Sequence, residues 1–227
     1  MDFAADGNDS DGAMRLLVIK ICSCMVVQLA GACLVFDQSG QILQDEDAGT
    51  DDATILAQDS GTLGNDRRVF RTDQTFTGNL GGLDGADQTC QTEANAAGLG
   101  GVWRAWLADS TGSPANRFVQ GTGRYLRLDG VRIADDWDDL LDGQINAPID
   151  LTATGQVDGF GAWSNVNPLT GEALELNSDG HCADWWIDTS INGHIGYANN
   201  IDGDWSRGGN QLWPCDSSST GLYCFEQ

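Results

Sequence analysis

The sequence predicts an α+β domain over residues 67–227, with two helices, short antiparallel strands, long loops and two disulfides. Three observations carry this. All eight tryptophans lie beyond Val69, so the apolar mass able to build a core sits in that part of the chain. Two stretches there have apolar residues at helical spacing, while the others alternate or run only briefly between glycines and asparagines. Cys90, Cys182, Cys215 and Cys224, four of the seven cysteines, fall in the same region.

In chain order, the first element is a leader. Residues 1–13, MDFAADGNDSDGA, carry four aspartates, the wrong charge for a secretory segment, and a start assigned too early explains them. From Met14 to Ala32, Arg15 and Lys20 supply positive charge, an apolar run follows, and Ala30-Gly31-Ala32 are small residues before Cys33, the shape of a signal peptide. A membrane-spanning helix over Leu16 to Phe36 competes, but it would hold Lys20 and Gln28 inside the bilayer. A buried core helix is a further alternative, although no polar face accompanies the run. Leu29-Ala30-Gly31-Ala32-Cys33 resembles a bacterial lipobox, cut before a cysteine that receives lipid; an ordinary signal peptidase could cut the same bond. Seven cysteines are an odd number for a secreted chain. Removing residues 1–32 leaves Cys33 to carry lipid and four cysteines to pair, which favours the lipoprotein reading.

Residues 33–66 include QDEDAGTDDATILAQDSGTLGND, with no aromatic after Phe36, and read as an acidic, self-repelling tether. DEDAGTDD lacks the glycine turn and closing glutamate of a calcium loop. Within the domain, Leu83, Ala86, Cys90, Ala94 and Ala97 share one helical face, with Gly98 as the stop. GVWRAWLADS reads as a strand, and RYLRLDGVRIA as a hairpin around Asp129-Gly130. IADDWDDLLDG predicts the second helix, with Ile133, Trp137, Leu140 and Leu141 on its apolar face. Short strands are expected around Ala162-Trp163, from Cys182 to Ile187, from Gln211 to Cys215 and from Leu222 to Phe225. So loop-rich a domain needs staples, and each disulfide contributes roughly 3 to 5 kcal/mol.

Three stretches carry a resemblance to a known family: TGNLGGLDGADQTCQTEANAAGLGGVWRAWLADS, IADDWDDLLDGQINAPI, and HCADWW through LWPCDSSSTGLYCFEQ. Together they resemble the C-type lectin-like fold and, within it, the endostatin-like domains of bacterial secreted lipoproteins, over nearly all of Val69 to Gln227. Four cysteines allow three connectivities. The resemblance implies the nested one, Cys90–Cys224 and Cys182–Cys215, with Ala105-Trp106-Leu107 as a core strand and Cys224-Phe225-Glu226 in the last. Sugar-binding lectins of this fold hold calcium with a Glu-Pro-Asn or Gln-Pro-Asp loop and a Trp-Asn-Asp strand. Here the nearest stretches are Asn167-Pro168-Leu169 and Leu212-Trp213-Pro214, so that calcium site is expected to be missing.

The net charge of −23, from 34 acidic residues against 11 basic ones, argues against nucleic-acid and heparin-like partners, which need a basic footprint. No Gly-x-Ser-x-Gly elbow, His-Glu-x-x-His helix or phosphate loop is present, and His181 and His194 are the only histidines. A glycosidase-type carboxylate pair remains an alternative, because its diagnostic is a separation in space. Asn200, Asp202 and Asp204 in NNIDGDW are a candidate calcium set, against a plain turn in which the side chains bond their own backbone. Trp185, Trp186 and Trp205 are candidate ligand contacts, against a role in the core. The expectation is a non-enzymatic module, exported across the inner membrane and held at the outer membrane or cell surface by lipid on Cys33, that binds an extracellular glycan or protein. A freely secreted recognition protein is the alternative, then a carbohydrate-active enzyme.

Overall fold

The computed structural model describes residues 65–175 and 180–227, which fall in one compact unit. The leader, Cys33 and the 33–64 part of the tether lie outside the described residues. Asp66 is already fastened to the fold: Arg124 donates to it from its backbone N–H at 3.0 Å and from Nη2 at 2.7 Å.

The described elements run β1 (Arg67–Arg71), α1 (Gly82–Ala96), β2 (Trp103–Ala105), α2 (Pro114–Arg117), β3 (Tyr125–Arg127), β4 (Arg132–Ala134), α3 (Trp137–Leu140), β5 (Gly161–Trp163), α4 (Cys182–Trp185), β6 (Asn192–Tyr197), α5 (Asp204–Arg207), β7 (Leu212–Pro214) and β8 (Gly221–Glu226). The strands form one mixed sheet in the order β4-β3-β1-β8-β5-β6-β7, with β2 also paired to β8. The C-terminal strand is thus central. β1 runs antiparallel along one edge of β8, from Val69 opposite Phe225 to Arg71 opposite Tyr223. β2 and β5 share its other edge, the first opposite residues 224–226 and the second opposite 221–222.

Strand periodicity divides the core between the two faces of this sheet, because successive side chains point to opposite sides. Tyr223 and Phe225 of β8 join Val69, Trp106, Tyr125, Trp137 and Trp205 in one cluster; Leu222 and Cys224 join Phe70, Trp103, Trp163 and Trp185 in the other. In the first, Trp106 lies 5.1 Å, ring centre to ring centre, from both Trp205 and Phe225. α1 covers the second face with Leu83, Ala86, Cys90 and Ala94. Its last helical residue is Ala96, two before Gly98. The chain pairs Cys90 with Cys224 and Cys182 with Cys215, across sequence separations of 134 and 33 residues.

The Asp129-Gly130 turn joins β3 to β4 as an antiparallel pair, with Gly130 at φ +84° where a side chain would be strained. Other elements correct the sequence expectations. The sheet is not wholly antiparallel, since β1 pairs parallel with β3 and β5 with β8. Five helices stand where two were expected, because α2, α4 and α5 are single turns too short to show a periodic stripe. α3 is shorter than expected: Ile133 belongs to β4, and Asp136 starts the helix by accepting the Asp139 N–H at 2.9 Å. The expected strand from Cys182 to Ile187 is the helical turn α4, while NGHIGY, read as loop, forms the six-residue strand β6.

Candidate functional site

In α4, Cys182, Ala183, Asp184 and Trp185 have φ of 49°, 49°, 56° and 63°. Four consecutive side-chain-bearing residues therefore turn left-handed. Left-handed helix disfavours L-residues by about 1–2 kcal/mol each, so the segment carries strain on the order of 4 to 8 kcal/mol. Identifiable contacts offset it. The Asp184 N–H donates to His181 Nδ1 at 2.8 Å, and the Trp185 N–H to the His181 carbonyl at 2.8 Å. The Trp185 carbonyl accepts the Leu80 N–H at 2.9 Å, and the Trp185 indole N–H donates to the Ala108 carbonyl at 2.9 Å. Trp185 is fully buried against Trp163, 5.7 Å between ring centres.

The Cys182–Cys215 bond anchors the start of the turn, and glycines admit it. A Cβ on Gly193 would sit 2.7 Å from Cys182 Sγ, and one on Gly78 would overlap the same sulfur. This is why the glycine-rich β6 can lie beside the turn.

The turn ends by pointing Trp186 outward. Its indole is 61 % exposed and lies across Gly82, the first residue of α1, where a Cβ would meet Trp186 Nε1 at 3.1 Å. Beside it opens a cleft of about 440 Å³ lined by Leu83, Asp84, Asp109, Arg117, Asp184 and Trp186 among others. Asp109 is only 4 % exposed; its Oδ1 accepts from the Thr111 N–H at 2.7 Å, the Thr111 hydroxyl at 2.8 Å and the Gly112 N–H at 3.0 Å. Asp184 Oδ1 accepts the Ser110 N–H at 3.0 Å. Burial pushes Asp184 up, but its bonds from the Ser110 backbone and side chain, with the His181 ring nearby, outweigh burial and hold it below the usual carboxylate value. Arg117 is already committed, donating to Asp87 at 2.7 Å and to the Leu107 carbonyl at 3.1 Å. The cleft thus presents one aromatic face and three carboxylates, of which Asp109 and Asp184 are fixed by backbone N–H groups and Asp84 is exposed.

Of the aromatic residues singled out from sequence, Trp186 alone reaches solvent substantially. Trp185 and Trp205 are 0 % and 1 % exposed and cannot offer a ring face to a ligand; the left-handed turn and the Trp106 cluster bury them. The candidate calcium set Asn200, Asp202 and Asp204 lies in the segment around the start of α5. Asp202 Oδ1 accepts the Asp204 N–H at 3.2 Å and Asp204 Oδ1 accepts the Gly209 N–H at 2.8 Å, so these carboxylates close turns on their own backbone. Among the described residues no group of three or more His, Cys, Asp or Glu side chains is arranged to hold a metal ion. At the lectin-motif positions, Asn167 Oδ1 accepts the Leu169 N–H at 2.9 Å. A smaller hollow of about 270 Å³ near Asp139 and Asp142 is likewise turn-bound, Asp142 Oδ1 taking the Gln144 N–H at 2.8 Å.

Sequence reasoning missed Asp84, Asp109, Arg117 and Asp184. They come from separate segments that meet only when α4 packs against the start of α1, and no local motif marks them. Among the described residues no helix is long and apolar enough to cross a membrane. Compared with protein-family models and with curated proteins, the chain matches none of them.

Proposed function

We propose that this chain is an envelope-anchored recognition module of C-type lectin-like, endostatin-like fold, which binds an extracellular glycan in the Trp186 cleft and does not catalyse a reaction. The observation that carries the reading is an exposed indole on a rigid turn beside a carboxylate-lined hollow. A sugar ring stacks its C–H face on such an aromatic, and its hydroxyls donate to carboxylates, the pairing of apolar platform and few fixed polar groups that suits small-ligand sites. The nested disulfides Cys90–Cys224 and Cys182–Cys215 support the lectin-like assignment, because the resemblance implies that pairing. The lipobox-like LAGAC and the cysteine count support lipid attachment at Cys33 and residence at the outer membrane or cell surface.

A glycan array probed with the full chain and with Trp186→Ala, with and without calcium, tests the binding site. The expected result is a bound glycan, lost on Trp186→Ala at an unchanged melting temperature. No bound glycan, or equal binding by the variant, overturns it. Metabolic labelling with a fatty-acid analogue tests the anchor: label should disappear in Cys33→Ser, and label that persists contradicts it.

A further inference from the structure

We infer that His181 is a proton-operated latch on α4: protonating its Nδ1 breaks the bond that caps the left-handed turn and frees the outer end of the turn, where Trp186 sits. The device is independent of what the cleft binds.

One ring nitrogen faces two groups of opposite kind on a single residue. His181 Nδ1 accepts the Asp184 N–H at 2.8 Å and lies 3.1 Å from Asp184 Oδ1. To accept, Nδ1 must be unprotonated, so the neutral ring carries its proton on Nε2. The ring is buried, and Nε2 has no partner among the described residues. A further proton can therefore go only to Nδ1.

That proton inverts the contact. The new Nδ1–H would oppose the Asp184 N–H, donor against donor, with the carboxylate oxygen beside it as the acceptor it needs. The proton comes from solvent; the bond from the Asp184 N–H to Nδ1 breaks, and a charge-assisted bond from Nδ1–H to Oδ1 forms in its place. Ala183 and Asp184, at φ 49° and 56°, hold a conformation that lasts only while its contacts hold it, and this one is lost. Asp184 Oδ1 also accepts the Ser110 N–H at 3.0 Å, so drawing it to the ring loosens its tie to the 109–112 loop. The Cys182–Cys215 bond and the bond from the Trp185 N–H to the His181 carbonyl take no part in the exchange, which confines the change to the outer end of the turn.

The other charged and titratable groups around α4 are Asp84 at the start of α1, Asp109 in the 109–112 loop, Arg117, His194 on β6, and Glu175, whose charge acts on His194. Asp109 is occupied by Thr111 and Gly112, and Arg117 by Asp87, so Asp184 is the carboxylate that answers a charged His181 ring. A charge on His194 repels that ring and works in the same direction.

Nuclear magnetic resonance on the isotopically labelled full chain tests the latch, following the His181 ring and the Asp184 amide from about pH 7.5 to about pH 5. As the ring takes its proton, the Asp184 amide should lose about tenfold in its protection factor against hydrogen exchange, while the Cys90 and Ala94 amides of α1 keep theirs. His181→Asn supplies an oxygen that caps the same N–H without titrating, and should hold the Asp184 amide protected throughout; His194→Gln should retain the wild-type response. Constant protection while the ring is protonated overturns the latch, as does a ring that takes no proton across the range. A loss that persists in His181→Asn, or that α1 shares, also overturns it. Should His181→Asn fail to fold, the coincidence of ring and amide titrations in the wild type still decides the matter.

Discussion

Two helical segments each carry one end of a disulfide, and they hold their shape for different reasons. α1 has regular right-handed geometry, a buried stripe through Cys90, and hydrogen bonds of its own. α4 is left-handed over four residues and keeps that form because Cys182 and Trp185 are fixed by partners elsewhere in the chain and His181 accepts the Asp184 N–H within the turn. The first segment covers a core. The second uses strain to place neighbouring tryptophans on opposite sides of the surface, and strained backbone held by its surroundings is commonest where function resides.

The contrast can be broken most severely at the disulfides. Replacing either pair with alanine should lower stability by roughly 3 to 5 kcal/mol in denaturant unfolding. The two losses should differ in kind. Cys90→Ala with Cys224→Ala should leave ligand binding intact in whatever fraction stays folded, whereas Cys182→Ala with Cys215→Ala should also release the turn and abolish binding. Equal effects on binding would show that α4 is no more dependent on its staple than α1.

A smaller effect is expected from the glycine that admits the second disulfide. Gly193→Ala places a methyl 2.7 Å from Cys182 Sγ and 3.1 Å from the Trp163 ring, and should cost about 1–3 kcal/mol as an overpacking change. The sharpest comparison is a matched pair of glycine substitutions. Gln88→Gly, on the exposed side of α1, should destabilise by about 1 kcal/mol, while Ala183→Gly should stabilise by up to about 1 kcal/mol, because glycine accepts φ 49° without strain. The same sign for both would contradict a left-handed α4.

The gentlest test is pH. His194 is buried, and that burial lowers its pKa, with Glu175 opposing and His181 adding to the shift. Its folded pKa is therefore below the unfolded value of about 6.5, so the unfolded chain takes up more protons as pH falls below that point. Stability should decline over that interval, and His194→Gln should flatten the decline; an unchanged slope would remove His194 as its source.

The same contrast explains how much could be read from the sequence. α1 was legible because its burial stripe repeats every three or four residues over fifteen positions, and the β3–β4 turn because Asp-Gly has a local conformational meaning. The strand expected from Cys182 to Ile187 would set adjacent side chains on opposite faces, and Trp185 and Trp186 do face in and out. The reason is a left-handed turn rather than strand alternation, and that turn exists only through distant partners: Cys215, Ala108, Leu80 and Ser110. The glycines of NGHIGY read as loop, yet Gly193 and Gly196 are there for close approach, to Cys182 Sγ and to the Trp205 carbonyl. The cleft was illegible for the same reason, since Asp84, Asp109 and Asp184 are neighbours only in three dimensions.

The central claim is that a staple-held left-handed turn puts Trp185 inside and Trp186 outside. Acrylamide quenching of tryptophan fluorescence in Trp186→Phe and Trp185→Phe tests it most directly. Trp186→Phe should remove the most quenchable component of the emission and Trp185→Phe should leave that component in place. Loss of the quenchable component in Trp185→Phe, with Trp186→Phe unchanged from wild type, would contradict the account.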